Sequence, residues 1–463
     1  MENTGGRIAV IGGGASGCMA AIAAARAGCS VTVFEKNEKI AKKIYATGNG
    51  RCNLTNLFLD SSCYHTRQGK EETRRVHKLI ERFPQKDLIA FFRQAGLPVH
   101  DRDGYVYPRT DQAETVARTL EKCMRQAGVR ICTDSRVEKI EKTKDGFRIH
   151  YCLSEKDKMP VRAAGKASEK RSEKKRSKKD GRSPVQRGAG QESVFDCQAV
   201  LLCTGGLAGP SFGCSGDGYV FADRLAHTVI DPLPALTRLE CSNSFLRRAA
   251  GVRCHAAVKL LEEGKEALDQ DRVLCEDGEL QITETGISGI PVFQISGRAA
   301  LLLAEDRRAG VLIDFLPEFT QEAFQKEIEM RLAQDRDQML GDFLLGLVHR
   351  KVIDMILARE GLQAEMKARR LTDAELRQIM CKLRAFELDV TATGGFDHAQ
   401  VTSGGIPLSE VDDDFASRKC PGLYMAGELL DVDGRCGGYN LQWAMTGGML
   451  AGRAAASYIK NRL

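Results

Sequence analysis

A chain of 463 residues with 43% hydrophobic residues and a formal net charge of +6 has the size and composition of a soluble protein of two or three domains. Its 16 cysteines are scattered, with no CxxC pair and no secretory signal, so we expect reduced thiols in a cytoplasmic protein rather than a disulfide scaffold. Only one apolar run approaches transmembrane length, and glycines interrupt it, so we expect no membrane-spanning segment.

The first predicted unit is a strand, a glycine-rich turn, a helix and a second strand within residues 7–36. Apolar residues at 8–11 and 31–34 predict two short buried strands, and the alanine-rich segment that ends near Ala27 predicts a helix between them. The turn matches the pattern G-x-G-x-x-G, whose glycines permit a tight turn, close approach of a pyrophosphate and close packing of helix on strand. These glycines are Gly12, Gly14 and Gly17.

Two further features favour a dinucleotide-binding unit. The N-terminus of the predicted helix supplies free N–H groups and a positive dipole end for phosphates. Glu35 follows Gly17 by 18 residues, at the position where an acidic side chain accepts the ribose hydroxyls. The alternative, a glycine-rich membrane or signal segment, is disfavoured because four glycines interrupt the apolar run and no basic region precedes it.

A polar segment follows the second strand. Residues 42–56, rich in Gly, Asn and Thr, have neither a helical nor a strand period, which predicts a loop. Arg51 and the amide side chains of this segment offer donors near the pyrophosphate. The alternative is an ordinary surface loop.

Helices and strands alternate in the next part of the chain. Helical spacing predicts helices over residues 74–82, 84–94 and 110–127, with a turn-like segment at 101–108. Strand-like runs at 129–132, 136–140 and 147–152 predict a parallel strand that leads into a small antiparallel meander. A further strand is predicted at 194–203, and it runs into Thr204 and Gly205.

A basic insert interrupts this meander at residues 154–190. It carries 13 Lys or Arg against 5 Asp or Glu between positions 155 and 190, and without these residues the net charge of the chain falls from +6 to −2. The insert has no aromatic residue and few β-branched ones, so we expect a disordered loop at a hairpin tip. Basic segments also attract nucleic acid or anionic lipid, but a tolerated solvated insertion is the favoured interpretation.

The middle of the chain is predicted to contain a helix, then a strand-rich part and then a helical part. Residues 213–219 open a predicted helix that runs to about residue 227, and residues 230–314 are mostly strand-like with turn signals, which predicts a small β-barrel or antiparallel sheet. Residues 317–385 have helical spacing. Within them, Thr372 and Glu375 form a predicted capping box.

Glycine-rich segments return near the end of the chain. Residues 390–396 and 401–406 predict loops, and residues 423–426 predict a strand that runs into Gly427 and Glu428. Residues 431–444 then open a final helix rich in alanine and glycine. A second helix N-terminus of this kind favours negative charge and therefore suits a redox ring that becomes more negative on reduction. The alternative is a purely structural helix.

These motifs together resemble a known family. The segments GGGASG, EKN, ATGNGRCNLTN, TSGGI and AGELLDVDGRCGGYNLQWA are similar to those of the flavoproteins labelled BaiN-like, within the glutathione-reductase-type FAD superfamily. The similarity spans nearly the whole chain apart from the basic insert. It implies an α/β fold in which a Rossmann-like FAD-binding domain is built from both chain ends, residues 1–206 and 386–463, with an inserted β-barrel plus helical segment at 207–385.

The resemblance also implies which residues contact FAD. The pyrophosphate is expected at Gly12, Gly14, Ala15, Ser16 and Gly17, the adenosine ribose at Glu35 and Lys36, and the adenine at the backbone of Val137. The pyrophosphate and flavin are also expected along Gly50, Arg51, Cys52 and Asn53. The ribityl chain is expected at Gly427 and Glu428, and the isoalloxazine edge at Gly438, Asn440, Leu441 and Gln442. Thr204 and Gly205 complete the expected set. We expect no metal site.

The function implied by the resemblance is that of an FAD-dependent oxidoreductase with a small-molecule substrate. The expected reaction is NAD(P)H-driven reduction of C=C bonds in unsaturated carbonyl compounds of the 3-oxo steroid or bile-acid type. Since the sequence has no second G-x-G-x-x-G, NAD(P)H is expected to visit the flavin transiently. Three alternatives stay open: a flavoprotein that reduces uridine to dihydrouridine in ribosomal RNA, a flavin amine oxidase of the aminoacetone type, and a flavin-binding protein without turnover. The oligomeric state is open as well.

The reaction needs a proton donor as well as a hydride donor. Tyr45, Arg51, Tyr439 and His398 are candidates by residue type, but their spacing selects none of them, and a packing or surface role is the favoured interpretation of each. Cys52 is a candidate redox thiol, although the absence of a partner at CxxC spacing favours packing.

Overall fold

The computed structural model describes residues 6–153, 191–241, 243–269 and 272–462, and the basic insert predicted to be disordered lies outside these ranges. Within them, residues 6–153, 191–229 and 406–462 form a unit that we call the sheet domain. Residues 239–393 form a second unit, the barrel domain.

The first part of the sheet domain contains β1 (Arg7–Ile11), α1 (Ala15–Arg26), β2 (Ser30–Phe34), β3 (Thr55–Asn56), β4 (Tyr64–His65), α2 (Lys70–Glu81), α3 (Gln85–Gln94), β5 (Val99–Arg102), β6 (Tyr105–Pro108), α4 (Ala113–Gln126), β7 (Arg130–Cys132), β8 (Ser135–Lys142), β9 (Phe147–Leu153), β10 (Gln191–Cys197), β11 (Ala199–Leu202) and α5 (Asp217–Arg224).

The middle of the chain contains β12 (Ile230–Ala235), β13 (Leu239–Cys241), β14 (Arg253–Glu262), β15 (Lys265–Glu266), β16 (Leu268–Asp269), β17 (Arg272–Val273), β18 (Cys275–Ile282), β19 (Gly286–Gly289), α6 (Ile290–Ala304), β20 (Ala309–Asp314), α7 (Gln321–Leu332), α8 (Leu340–Phe343), α9 (Arg350–Arg359), α10 (Asp373–Lys382) and β21 (Phe386–Thr393). The last part contains α11 (Gly395–His398), β22 (Val401–Gly405), β23 (Leu423–Met425), β24 (Asp433–Gly434) and α12 (Tyr439–Lys460).

The sheet domain is built on five parallel strands in the order β23-β11-β1-β2-β7. β1 lies at the centre, with Ile11 opposite Phe34 of β2 and opposite Leu202 of β11. These strands are apolar and buried, as is usual for parallel strands covered on both faces. Because β23 pairs with β11, both ends of the chain contribute to one sheet, which confirms the predicted FAD-binding architecture.

The helices that follow the two ends of the sheet pack closely on each other. A Cβ atom added at Gly448 of α12 would lie 2.1 Å from the Ser16 carbonyl oxygen of α1, and one added at Gly452 would lie 2.3 Å from the Ala20 carbonyl oxygen. Small residues on both helices therefore set the separation of the two backbones. The alanine-rich composition of α1 serves this contact, since nearly all of the helix is buried.

Six strands of the barrel domain close on themselves in the order β14-β18-β19-β13-β21-β20, and β20 pairs back onto β14. This confirms the predicted β-barrel. α6 was not predicted: residues 290–304 stand between barrel strands and only the two end residues of the helix are exposed, so they lack the polar stripe that indicates a surface helix. Pro291 sits in its first turn, where a helix tolerates proline.

The two domains are joined by a two-stranded ribbon. β12 and β22 pair antiparallel, from Ile230 opposite Gly405 to Ala235 opposite Val401. A small apolar cluster of Ala235, Leu236 and Val401 lies at the barrel end of this ribbon, with Phe293 of α6 packed against it.

Several predicted elements differ from the structure in their details. The turn-like segment 101–108 is a β-hairpin, β5–β6, with its turn at Asp103 and Gly104. The single strand predicted at 194–203 is two strands that part at Gln198, because β10 pairs antiparallel with β9 whereas β11 joins the parallel sheet. The segment 42–56 is not loop throughout, since Lys42–Gly50 forms 3₁₀ turns interrupted at residues 47–49.

The later segments differ in a similar way. Residues 390–396 and 401–406, predicted as loops, include the end of β21 and all of β22. β21 pairs with β20 and β13 and so belongs to the barrel, beyond the expected domain limit at 385. The predicted capping box at Thr372 and Glu375 is confirmed.

We expect Gly448→Ala to lower the free energy of unfolding by about 1–3 kcal/mol, because the added methyl group must push α1 and α12 apart. This loss is expected although alanine is the better helix former. Urea unfolding of the purified protein measures it, with Ser457→Ala on the exposed face of α12 as the control. A Gly448→Ala protein as stable as the wild type would show that the helices separate at no cost.

Candidate functional site

A cavity of about 610 Å³ lies between the sheet domain and the barrel domain. Its walls include the residues at or just after the carboxyl ends of four parallel strands, namely Ile11, Phe34, Cys203 and Glu428. This is where ligands bind in open α/β folds. The volume lies within the range of cofactor and ligand pockets.

The N-terminus of α1 forms one end of the cavity. Gly12, Gly14, Ala15 and Ser16 line it, and no side chain caps the helix. Gly12 has a φ of +97°, and a Cβ there would lie 2.5 Å from the Cys203 carbonyl oxygen, so only glycine fits the turn. A Cβ at Gly14 would meet nothing within 4 Å. The backbone thus presents unpaired N–H groups to open space, as a pyrophosphate requires.

Glu35 and Lys36 line the cavity beside this turn, and both are already engaged. Glu35 is buried, and its carboxylate accepts hydrogen bonds from the Gly13 N–H at 2.8 Å and from the backbone and side-chain N–H groups of Asn37 at 2.8 and 2.7 Å. A carboxylate has about four acceptor sites, so one remains for a ribose hydroxyl. Lys36 pairs with Asp217 at 2.6 Å and also contacts Ser215.

The middle of the cavity is bordered by a second ion pair. Lys43 donates to Glu428 at 2.7 Å, and the other oxygen of Glu428 accepts from the Thr402 N–H and hydroxyl, each at 3.0 Å. Burial acts to lower the pKa of Lys43, but the Glu428 carboxylate outweighs it and the pKa is raised. Lys43 therefore stays protonated at neutral pH, and its bond to Glu428 holds its ammonium group in place. Val137, Thr204 and Gly205 complete this part of the lining.

The N-terminus of α12 forms the other end of the cavity. Gly438, Asn440 and Leu441 line it, and again no side chain caps the helix. Asn440 hydrogen-bonds both polar backbone groups of Gly434 at 2.8 Å, which holds the loop before α12 in place. The Oδ1 atom of Asn53 is buried in this wall without a hydrogen-bond partner. A bound group with an N–H or O–H donor would satisfy it.

The residues present therefore fit FAD. One uncapped helix N-terminus suits the pyrophosphate and the other suits the flavin ring, and an orphaned acceptor lies at the flavin end. Fourteen of the twenty residues expected to bind FAD line the cavity: Gly12, Gly14, Ala15, Ser16, Glu35, Lys36, Asn53, Val137, Thr204, Gly205, Glu428, Gly438, Asn440 and Leu441.

Six expected residues lie outside the lining. Gly17 and Gly427 pack behind it, since their added Cβ atoms would lie 1.9 Å from the Gly12 carbonyl oxygen and 2.7 Å from the Ser16 hydroxyl oxygen. Gln442 is fully buried elsewhere, where it bonds Thr55 and Thr446. The other three lie in the segment 50–52: Gly50, Arg51 and Cys52.

Cys52 does not have the environment of a redox thiol. It is fully buried, and burial raises its pKa to about 12, which keeps it as an unreactive thiol at neutral pH. Its φ of +61° shows that it closes the polar segment after the 3₁₀ turns. Packing is its role.

None of the four proposed acid candidates faces the cavity. Tyr45 lies under Lys39, His398 and Arg51 are exposed, and Tyr439 donates its hydroxyl to the Phe58 carbonyl oxygen at 3.0 Å. Tyr105 and Tyr107 of the hairpin line the cavity instead.

The two tyrosines were missed because their segment was interpreted as a turn. The alternation Tyr-Val-Tyr was the available signal, because it places both rings on one face of a strand. Burial raises the pKa of both hydroxyls, so both stay protonated at neutral pH. On the barrel side, the cavity wall is mostly apolar and includes Leu236, Ile290 and Phe293, with Gln400 as a polar member.

The chain matches a family of known proteins along nearly its whole length. The model of the "HI0933-like protein Rossmann domain" matches residues 6–167 and 158–454. A "3-dehydro-bile acid delta(4,6)-reductase" of Clostridium scindens is 40% identical over 97% of this chain and 99% of its own. A "ribosomal RNA dihydrouridine synthase" of Haemophilus influenzae is 26% identical, and one of Escherichia coli 24%, each over 94% of both chains.

The solved structures that resemble this chain have lower sequence identity to it. A 3-ketosteroid-delta4-(5alpha)-dehydrogenase of Rhodococcus jostii is 14% identical with a TM-score of 0.47, over 97% of this chain and 96% of its own. In the ranges that the structure describes, no helix has both the length and the apolar character needed to cross a membrane.

We expect Gly14→Val to weaken FAD binding by roughly tenfold or more, because the side chain would occupy the space that the cavity offers to the pyrophosphate. The free energy of unfolding of the apoprotein should stay at the wild-type value, since the added atoms meet open space. Flavin fluorescence titration and urea unfolding measure the two effects, with Ser457→Ala as the control. Unchanged FAD affinity would place the pyrophosphate elsewhere.

Proposed function

The chain belongs to the HI0933-like family, and from that membership we propose that it is an FAD-dependent reductase of C=C bonds conjugated to a carbonyl group in 3-oxo steroids of the bile-acid type. The relative named as a bile-acid reductase, 40% identical along almost the whole chain, supports this substrate class.

The arrangement of polar and apolar groups around the cavity is the observation that carries the proposal. Two uncapped helix N-termini lie along its polar side, whereas Leu236, Ile290 and Phe293 form an apolar wall toward the barrel. A steroid offers a rigid apolar skeleton to such a wall. Its carbonyl group would reach the polar side chains near the start of α12.

The residues of the chain have separate tasks in this reaction. The α1 N-terminus binds the pyrophosphate and Glu35 orients the ribose, while the α12 N-terminus favours the negative charge of the reduced ring. FAD, when bound and reduced by the electron donor, would supply a hydride to the β carbon of the conjugated double bond. The apolar wall positions the substrate and keeps water away.

NAD(P)H is the proposed electron donor. The sequence has one G-x-G-x-x-G only, so the nicotinamide would reach the flavin through the same cavity before the substrate does. This predicts that nucleotide and steroid exclude each other from the site.

A ribosomal RNA dihydrouridine synthase is the second candidate. Two relatives with that name cover 94% of the chain at 24–26% identity. The C5=C6 bond of uracil is conjugated to a carbonyl group, so the chemistry of the two candidates is the same and only the substrate differs.

The test is an anaerobic titration of the FAD-loaded protein with NADH and NADPH, followed by mixing with acceptors. We expect one nucleotide to bleach the flavin and a 3-oxo-4-ene bile acid to restore its absorbance. The saturated 3-oxo bile acid is the matched control, because it has the carbonyl group but no double bond to reduce.

Each other outcome points to a different function. Reoxidation by unmodified ribosomal RNA and not by the steroid would assign the second candidate. A flavin that neither nucleotide bleaches would reject NAD(P)H as the electron donor. Failure to bind FAD after reconstitution would contradict both candidates.

A further inference from the structure

We infer that the Tyr105 hydroxyl is the hydrogen-bond donor to the carbonyl oxygen of the substrate, an inference that rests on the reductase function proposed above. Tyr105 lies on β6, in the β5–β6 hairpin, and lines the cavity. The strand is short and is held on both edges, by β5 and by β3. Its side chains are therefore placed by the sheet rather than by a loop.

The Tyr105 ring lies directly against the start of α12. A Cβ added at Gly437 would be 2.7 Å from Cε1 of Tyr105, and Gly437 has a φ of +127°. Glycine at this position lets the ring pack against the backbone that precedes the helix. Tyr105 is thus adjacent to the end of the cavity that suits the flavin ring.

Most polar side chains of the lining are already occupied by other protein groups. Glu35 holds the glycine turn, and the cations Lys36 and Lys43 are paired with carboxylates. The hydroxyls of Thr47 and Ser135 donate to backbone carbonyl oxygens at 2.7 and 2.8 Å. In the described part of the chain the Tyr105 hydroxyl has no hydrogen-bond partner, so it is available to a ligand.

Other donors line the same region, among them Tyr107 and Gln400. The Tyr107 ring lies near Gly48, within 3.8 Å of its added Cβ, and Arg102 lies over it, so it faces the polar segment rather than α12. Gln400 stands on the barrel-side wall, and its side-chain oxygen accepts from the Cys436 thiol at 3.9 Å. Of the two tyrosines, Tyr105 is the one whose ring packs against Gly437, directly before α12.

The chemistry requires a donor at the carbonyl oxygen. When a hydride from reduced flavin bonds to the β carbon, the electrons of the double bond move toward the carbonyl group and leave negative charge on its oxygen. A proton from solvent then bonds to the α carbon, which completes the two-electron reduction and restores the C=O bond. A hydroxyl aimed at the oxygen stabilises the charge as it develops.

The experiment compares Tyr105→Phe with Tyr45→Phe, which removes the same hydroxyl from a ring outside the cavity. The FAD-loaded proteins are reduced with dithionite, so that no nucleotide is needed, and mixed with a 3-oxo-4-ene bile acid in a stopped-flow instrument. We expect flavin reoxidation in Tyr105→Phe to slow by about 100-fold, the usual effect of losing one donor at a developing oxyanion. Tyr45→Phe should match the wild type.

A binding measurement separates this role from structural damage. The oxidised FAD-loaded proteins are titrated with the 3-oxo steroid and with the same steroid lacking the 3-oxygen, while the flavin absorbance is followed. We expect Tyr105→Phe to lower the affinity for the 3-oxo ligand by about fivefold to tenfold, the value of one hydrogen bond. Its affinity for the 3-deoxy ligand should equal that of the wild type. Equal weakening of both ligands would show a packing role and overturn the inference.

The remaining outcomes are also decisive. If Gln400→Leu loses the oxygen-dependent affinity and Tyr105→Phe keeps it, the donor is on the barrel wall and the inference is wrong. If the steroid does not reoxidise the reduced flavin of the wild type but ribosomal RNA does, the proposed substrate is wrong. A slower reaction of Tyr105→Phe with RNA would then still support Tyr105 as the donor. A wild-type protein that accepts neither carbonyl substrate overturns both proposals.

Discussion

The close approach of α1 and α12 is the constraint on which the rest of the molecule depends. Gly448 and Gly452 bring the two helix backbones together, and α1 and α12 follow strands contributed by opposite ends of the chain. Because each helix starts near the carboxyl edge of the same sheet, their N-termini face one cavity. A single packing contact thus places two positive dipole ends where one long anionic cofactor can span them.

Charged residues around the cavity neutralise each other across long sequence separations. Lys36 pairs with Asp217, and Lys43 with Glu428, at 2.6 and 2.7 Å. The side chains of these pairs are only 19–29% exposed, so the cost of taking both charges out of water offsets much of their attraction. Their effect is on recognition, since they leave backbone N–H groups rather than mobile lysines to meet an anion.

The sequence predicted those features that depend on neighbouring residues. The first strand-turn-helix unit and the Thr372 capping box each consist of a local pattern with a local physical cause, and both were placed correctly. α6 and the β5–β6 hairpin were missed, because a helix buried against a barrel has no polar stripe and a hairpin beside a turn signal looks like the turn. The buried position of Gln442 was also missed, because its hydrogen-bond partners Thr55 and Phe83 are over 350 positions away in the sequence.

The ribbon of β12 and β22 has a mechanical consequence. Both passages of the chain between the domains run through it, and they are hydrogen-bonded to each other, so neither strand can bend without the other. Leu236 and Val401, at the barrel end of this ribbon, belong to the cavity wall. A change in the bend of this ribbon would therefore also move part of the cavity wall.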